Sequence, residues 1–226
     1  MTTRSFAVIG LGRFGAAMAS TLVELRQEVI GIDNDEERVQ SMADLVSQAV
    51  QLDATDERAL RAAGVQDVDV AVISIGENIE ASLLVVMQVK DLGVTTIIAK
   101  AVTPLHGRIL ERLGVTRVIY PERDMAVRVA HSLAVSNVTD YIELSKDFSI
   151  VDLPAPKDWV HKTLKELALR PRFGLTLIAI KRPSQTGDGE ITNIAPSADD
   201  EIMDRDVLTL LGGNDRLAQL DRLLGK

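Results

Sequence analysis

Three glycines in the run Gly10-Leu11-Gly12-Arg13-Phe14-Gly15 stand where a short apolar segment, residues 6–9, passes into the helical pattern AAMASTLVEL. The G-x-G-x-x-G spacing suits phosphate binding. Gly10 allows a tight turn, Gly12 lets the backbone approach phosphate oxygens, and Gly15 lets the helix pack closely on the sheet. The helix N-terminus then presents free N–H groups to an anion. Asp33, 23 residues after Gly10, ends the second apolar segment, where a carboxylate takes ribose hydroxyls. An acid there repels a 2′-phosphate, and no Arg follows it directly. The site therefore reads as one for an NAD-like or adenosine-phosphate-like nucleotide and not for NADP. Arg13, between the second and third glycines, places a guanidinium where a terminal phosphate would sit. A solvated first-turn arginine is the alternative reading.

Further residues end strands of the same sheet. Asp53 either contacts a base or caps the next helix, while Ile75, Gly76 and Glu77 follow the fourth apolar segment. Lys100 either meets a phosphate or is an ordinary surface lysine. Glu122, one residue after Pro121, either complements a helix dipole or holds a cation. Groups for turnover are scarce: the second half has one histidine, His161, and His106 and His131 fall in helical patterns without metal-ligand spacing. The nucleotide is expected to be bound and not chemically used. The rival readings are a small NAD-dependent oxidoreductase and a redox-sensing repressor, and no basic helix-turn-helix supports the second.

These groups need a scaffold of a particular kind. Aliphatic segments at 6–9, 28–32, 48–52, 68–75, 96–100 and 118–120 alternate with longer amphipathic stretches, as in an α/β doubly wound parallel Rossmann-type sheet. Asp56 is expected as an N-cap, Pro104 and Pro121 open helices, and Gly64, Gly93 and Gly114 close them. After residue 137 the pattern changes to a smaller α+β C-terminal lobe. Residues 141–156 read as an antiparallel pair and 164–169 as one short helix. Strands at 175–182, 190–196 and 206–213 follow, with a final helix at 215–224 and turn chemistry at 183–189 and 204–206. The expected division is a nucleotide lobe at 1–135, a linker at 136–145 and a second lobe at 146–226. The helix after Pro121 has an apolar stripe, Met125, Ala126, Val129, Ala130 and Leu133, which Val127 and Ala134 widen. It is either covered by a second subunit or is a deeply buried core helix.

The 226 residues carry a net charge of −8, of which −6 lies in residues 1–140, and only 3 % are aromatic. That balance argues against a nucleic-acid partner. With no Cys, disulfides, thiolate metal sites and cysteine nucleophiles are excluded. No apolar run reaches the ~18 residues of a membrane helix. A cytoplasmic location is the expectation.

The successive segments FAVIGLGRFG, IDNDEERV, SIGENIEAS, IIAKAVTPLH and VIYPERDMAVRVAHSL, followed by YIELSKDFSIVDLPAP, LIAIKR and DVLTLLG, resemble a known family. It is that of the RCK subunits of bacterial potassium uptake systems, of the KtrA type and close to TrkA. The resemblance spans nearly the whole chain. It implies a homodimer formed through the helix after Pro121, assembled as a homo-octameric ring beneath a membrane-embedded potassium-translocating subunit of the KtrB/TrkH type. ATP, ADP or NAD(H) in the N-lobe would gate potassium flux. In that family the counterparts of Gly10, Gly12, Phe14 and Gly15 form the phosphate loop, and Arg13 reads the terminal phosphate across the dimer. Asp33, Asn34 and Asp35 meet ribose and base, and Asp53, Ala54, Ile75, Gly76 and Glu77 line the base pocket. Lys100, Ala101, Val102 and His106 complete the site. Glu122 lies near the nucleotide and a divalent cation, Mg2+ or Ca2+. Relatives often carry Asn where this chain has Asp53. The C-lobe of the family can bind cyclic di-AMP, and Asn193-Ile194-Ala195-Pro196 falls in the region concerned.

Overall fold

The computed structural model describes residues 3–134, 140–184 and 189–224. Residues 136–139 of the expected linker and 185–188 of the expected turn lie outside the described residues. The chain divides into two compact units, Met1–Pro121 and Glu122–Lys226.

The first unit is built on six parallel strands: β1 (Ser5–Ile9), β2 (Glu28–Asp33), β3 (Gln48–Gln51), β4 (Val70–Ile73), β5 (Ile97–Lys100) and β6 (Arg117–Ile119). Their order is β3-β2-β1-β4-β5-β6, the doubly wound arrangement expected from the sequence. Ala7, Val8 and Ile9 of β1 are at most 1 % exposed, because helices cover the sheet on both faces. The connecting helices are α1 (Arg13–Glu24), α2 (Glu36–Met42), α3 (Glu57–Ala62), α4 (Ile79–Asp91) and α5 (Pro104–Leu113). The winding order of the sheet reverses between β1 and β4, the switch point beyond whose carboxyl ends open α/β sheets bind ligands.

Local chemistry sets where these elements start and stop. Asp56 accepts from the N–H groups of Arg58 and Ala59 and so caps α3, as the sequence predicts. Thr103 caps α5 with Pro104 as its first residue, and Gly64, Gly93 and Gly114 all take positive φ at helix ends. The fourth strand is shorter than the expected 68–75. Its partner β1 pairs with it only from Phe6↔Val70 to Ile9↔Ile73, beyond which Ser74 and Ile75 turn against Gly10.

The second unit holds α6 (Pro121–Ala134) from Glu122 onward and an antiparallel sheet in the order β10-β9-β11-β8-β7. Its strands are β7 (Asp140–Glu143), β8 (Phe148–Pro154), β9 (Thr176–Pro183), β10 (Glu190–Ile194) and β11 (Val207–Gly213). The helix expected at 164–169 is two helices, α7 (Leu164–Leu167) and α8 (Leu169–Phe173), separated by Ala168 at φ 48°. Pro171 explains the break. It has no N–H for an intrahelical bond, so it is accommodated only in the first turn of a new helix. The last helix is α9 (Asn214–Leu224). Leu167, Leu175, Ile202, Leu208 and Leu210, each at most 1 % exposed, form the centre of this unit's core.

Met125, Val127, Val129 and Leu133 on α6 are 55 %, 42 %, 45 % and 79 % exposed in the single chain. This rules out the buried core-helix reading. Among the described residues no helix is long and apolar enough to cross a membrane.

Candidate nucleotide site

The glycine run folds as a turn from β1 into α1. Gly10 sits at φ 93° with its N–H donating to Ile32 O at 2.7 Å, and a Cβ there would meet Ser74 C at 3.1 Å and Ile75 N at 3.2 Å. Gly15 is buried, and a Cβ on it would collide with the Gly10 carbonyl oxygen. Gly12 differs from both: nothing lies within 4 Å of where its Cβ would be. It is also the N-cap of α1, makes no side-chain cap bond, and is followed by a first turn without an acidic residue. An uncapped first turn with open space beside Gly12 suits an anion, because the N–H groups at a helix start and the helix dipole both favour negative charge.

Asp33 lies across this opening. Its Oδ2 accepts the Leu11 N–H at 2.6 Å and its Oδ1 the Asp35 N–H at 3.0 Å, so the carboxylate is tied to the glycine loop although only 6 % of the residue is exposed. Each oxygen keeps one further acceptor position. Asp35 has a different task. Its Oδ1 accepts from Glu37 N–H and Arg38 N–H at 2.9 and 3.2 Å, capping α2. Asn34 is exposed beside it, with its carbonyl accepting from Gln51 Nε2 at 3.3 Å.

The other strand ends converge in part. A Cβ on Gly76 would lie 3.3 Å from Val102 Cγ1 and 3.5 Å from Lys100 Nζ, and Lys100 Nζ stands 6.0 Å from the centre of the Phe14 ring. Phe14, Gly76, Lys100 and Val102 thus belong to one neighbourhood with the glycine loop, where Ile75 lies against Gly10. Ala101 and Ala54 are buried, while Arg13 and Glu77 are exposed.

Asp53 does not cap α3; Asp56 does. The Asp53 Oδ1 instead accepts from Thr55 Oγ1 at 2.7 Å and Thr55 N–H at 2.9 Å, which holds its carboxyl below the usual carboxylate range. Gln88 Nε2, from α4, donates to Thr55 O at 2.6 Å and fixes the same loop.

His106 is 1 % exposed, and burial pushes its imidazole down from the ordinary value. Its Nδ1 accepts the Val102 N–H at 3.5 Å, so in the neutral ring Nε2 carries the hydrogen, and that atom is buried without a hydrogen-bond partner. Glu122 is placed in the first turn of α6, in the second unit. Among the described residues no group of three or more His, Asp or Glu is arranged to hold a metal.

One residue of the site escaped the sequence reading, which looked for an arginine only directly after Asp33. Arg38 Nη1 lies 3.6 Å from Asp33 Oδ2, and its Nε 3.7 Å from Asp35 Oδ2. The signal was Asp35 as an N-cap. It makes Arg38 the third helical residue and folds it back beside the strand end.

In the C-lobe region noted for cyclic di-AMP, β10 is an exposed edge strand, and Asn193 Nδ2 donates to Asp200 Oδ2 at 2.9 Å.

Residues 6–121 match the TrkA-N domain and residues 148–225 the TrkA-C domain. The Ktr system potassium uptake protein C of Bacillus subtilis (strain 168) is 38 % identical, covering 97 % of this chain and 96 % of that protein. The Ktr system potassium uptake protein A of the same organism is 37 % identical over 92 % of this chain and 91 % of its own length. A solved structure described as a GsuK channel bound to NAD superposes with a TM-score of 0.64 at 19 % identity, covering 100 % of this chain and 40 % of that one, a likeness of fold alone. With both domains matched in order and these relatives aligned nearly end to end, the chain belongs to the TrkA-N/TrkA-C family, as a Ktr-type RCK protein.

Proposed function

We propose that this chain is a nucleotide-sensing regulatory subunit of a potassium uptake system, acting by binding and not by turnover. The observation that carries the reading is the uncapped first turn of α1, open at Gly12 and faced by the buried Asp33 carboxylate. That pair matches an adenosine phosphate: N–H groups and the helix dipole for the phosphates, acceptors for the ribose hydroxyls. ATP, ADP and NAD(H) share this half. The names of the aligned relatives supply the potassium uptake context.

In this proposal residues 1–135 form the nucleotide lobe, 136–145 a linker and 146–226 an interaction lobe. The chain pairs through the exposed apolar residues of α6, and homodimers assemble into an octamer. The ring lies in the cytoplasm against the inner face of the membrane through a potassium-translocating subunit of KtrB/TrkH type. A ligand that prefers one ring arrangement shifts the gate by its differential affinity, about 1.4 kcal/mol per tenfold preference. Glu122 is a single carboxylate, so Mg2+ or Ca2+ there needs further oxygen ligands from the nucleotide or a second copy. Cyclic di-AMP at residues 193–196 belongs to the same reading.

Arg13 is exposed at the mouth of the loop and is assigned to the terminal phosphate. Arg13→Ala is expected to weaken ATP about tenfold or more and ADP less than about threefold in calorimetric titration. Equal losses for both nucleotides would contradict that role.

A further inference from the structure

We propose that Arg38 is a specificity-determining residue of the nucleotide site, donating to the ribose 2′-oxygen whose hydrogen Asp33 accepts. The proposal rests on the nucleotide reading above and gives that site a selectivity.

The two partners differ in freedom. The Asp33 side chain is 4 % exposed and pinned by two backbone N–H groups, from Leu11 and Asp35. The Arg38 side chain is 46 % exposed, and its contacts at 3.6 and 3.7 Å with Asp33 and Asp35 are ion pairs beyond hydrogen-bond length. Among the described residues no acceptor is hydrogen-bonded to its guanidinium, which is therefore the adjustable half of a donor and acceptor pair at one edge of the crevice.

A hydroxyl suits such a pair because it donates and accepts at once. The 2′-hydroxyl of a ribonucleotide donates to the remaining acceptor position of Asp33 and accepts from Arg38. A 2′-deoxyribose supplies neither partner and leaves both groups desolvated against the sugar. A 2′-phosphate gains Arg38 but meets a buried carboxylate that cannot retreat. The exclusion of NADP therefore stands despite the nearby arginine.

The rival role is charge screening, in which Arg38 only offsets Asp33 and Asp35. Loss of such a role would weaken every nucleotide alike.

The test is calorimetric titration of the full chain with ADP and 2′-deoxy-ADP, using wild type, Arg38→Ala and Arg38→Lys. Wild type is expected to prefer ADP by about tenfold or more. In Arg38→Ala the preference falls to about threefold or less, through lost ADP affinity with 2′-deoxy-ADP changed less than about twofold. Arg38→Lys restores part of it, since an ammonium keeps the charge without the planar fork. An unchanged preference in Arg38→Ala, or equal loss of both ligands, overturns the assignment while the nucleotide site stands. Failure of wild type to bind either ligand overturns the nucleotide reading itself, and the assignment with it.

Discussion

Gly15→Ala is expected to remove nucleotide binding and to destabilise the first unit together. The added methyl would collide with the Gly10 carbonyl oxygen, a backbone atom, and would lie 3.0 Å from Gly10 C and 3.1 Å from Ser74 Oγ. Gly10 cannot yield, since its N–H bonds Ile32 O at 2.7 Å and its φ of 93° already holds the turn. The helix must therefore lift from the sheet, at a cost of about 2–4 kcal/mol and about a hundredfold or more in ADP affinity. Gly12→Ala gives the contrasting result. With nothing within 4 Å it should fold as wild type, yet its methyl occupies space that phosphate oxygens need. Thermal unfolding and ADP titration of both variants check this. A Gly15→Ala protein with wild-type Tm would contradict the close packing of α1 on β1.

The second large effect lies in the C-terminal unit. Asp206 is fully buried, and Arg182 donates to it from Nε and Nη2, each at 2.8 Å, while the Met203 N–H donates at 2.8 Å. Arg182 also reaches Glu201 O at 3.1 Å, so the pair ties the turn before β11 to β9. Asp206→Ala strands a guanidinium and a backbone N–H. Because the Arg182 side chain is 43 % exposed and can turn toward water, the expected loss is about 2–4 kcal/mol and not the full cost of a buried orphan charge. Calorimetric unfolding should show it; a loss under about 1 kcal/mol would mean that the turn holds without the pair.

The sequence announced the first unit clearly, because fully covered parallel strands are continuous aliphatic runs and their helices begin at Asp56 and Pro104. It misjudged the length of β4, which is set by its partner β1 and by Gly10, neither of which is visible from the apolar run itself. The split at Ala168 is hidden because the pattern of LKELAL is that of a continuous helix, and the break comes from Pro171 beyond it. Among site residues, the glycine loop and Asp33 were legible from spacing. Asp53 was ambiguous because an acid after a strand suits a base contact, a cap or a loop bond to Thr55 equally well. Arg38, five positions beyond Asp33, returns to it only because the Asp35 cap starts α2 there, which the strand end by itself does not show. The buried Asp206 looked like one more turn residue, since its partner is 24 positions away.

Potassium flux through vesicles containing a potassium-translocating membrane subunit, with this chain added at its cytoplasmic face, tests nucleotide gating most directly. Exchange of ADP for ATP should change the flux about tenfold, and only when the chain is present. Identical flux with ATP, ADP and no nucleotide, while the chain is bound, would contradict a nucleotide-sensing role.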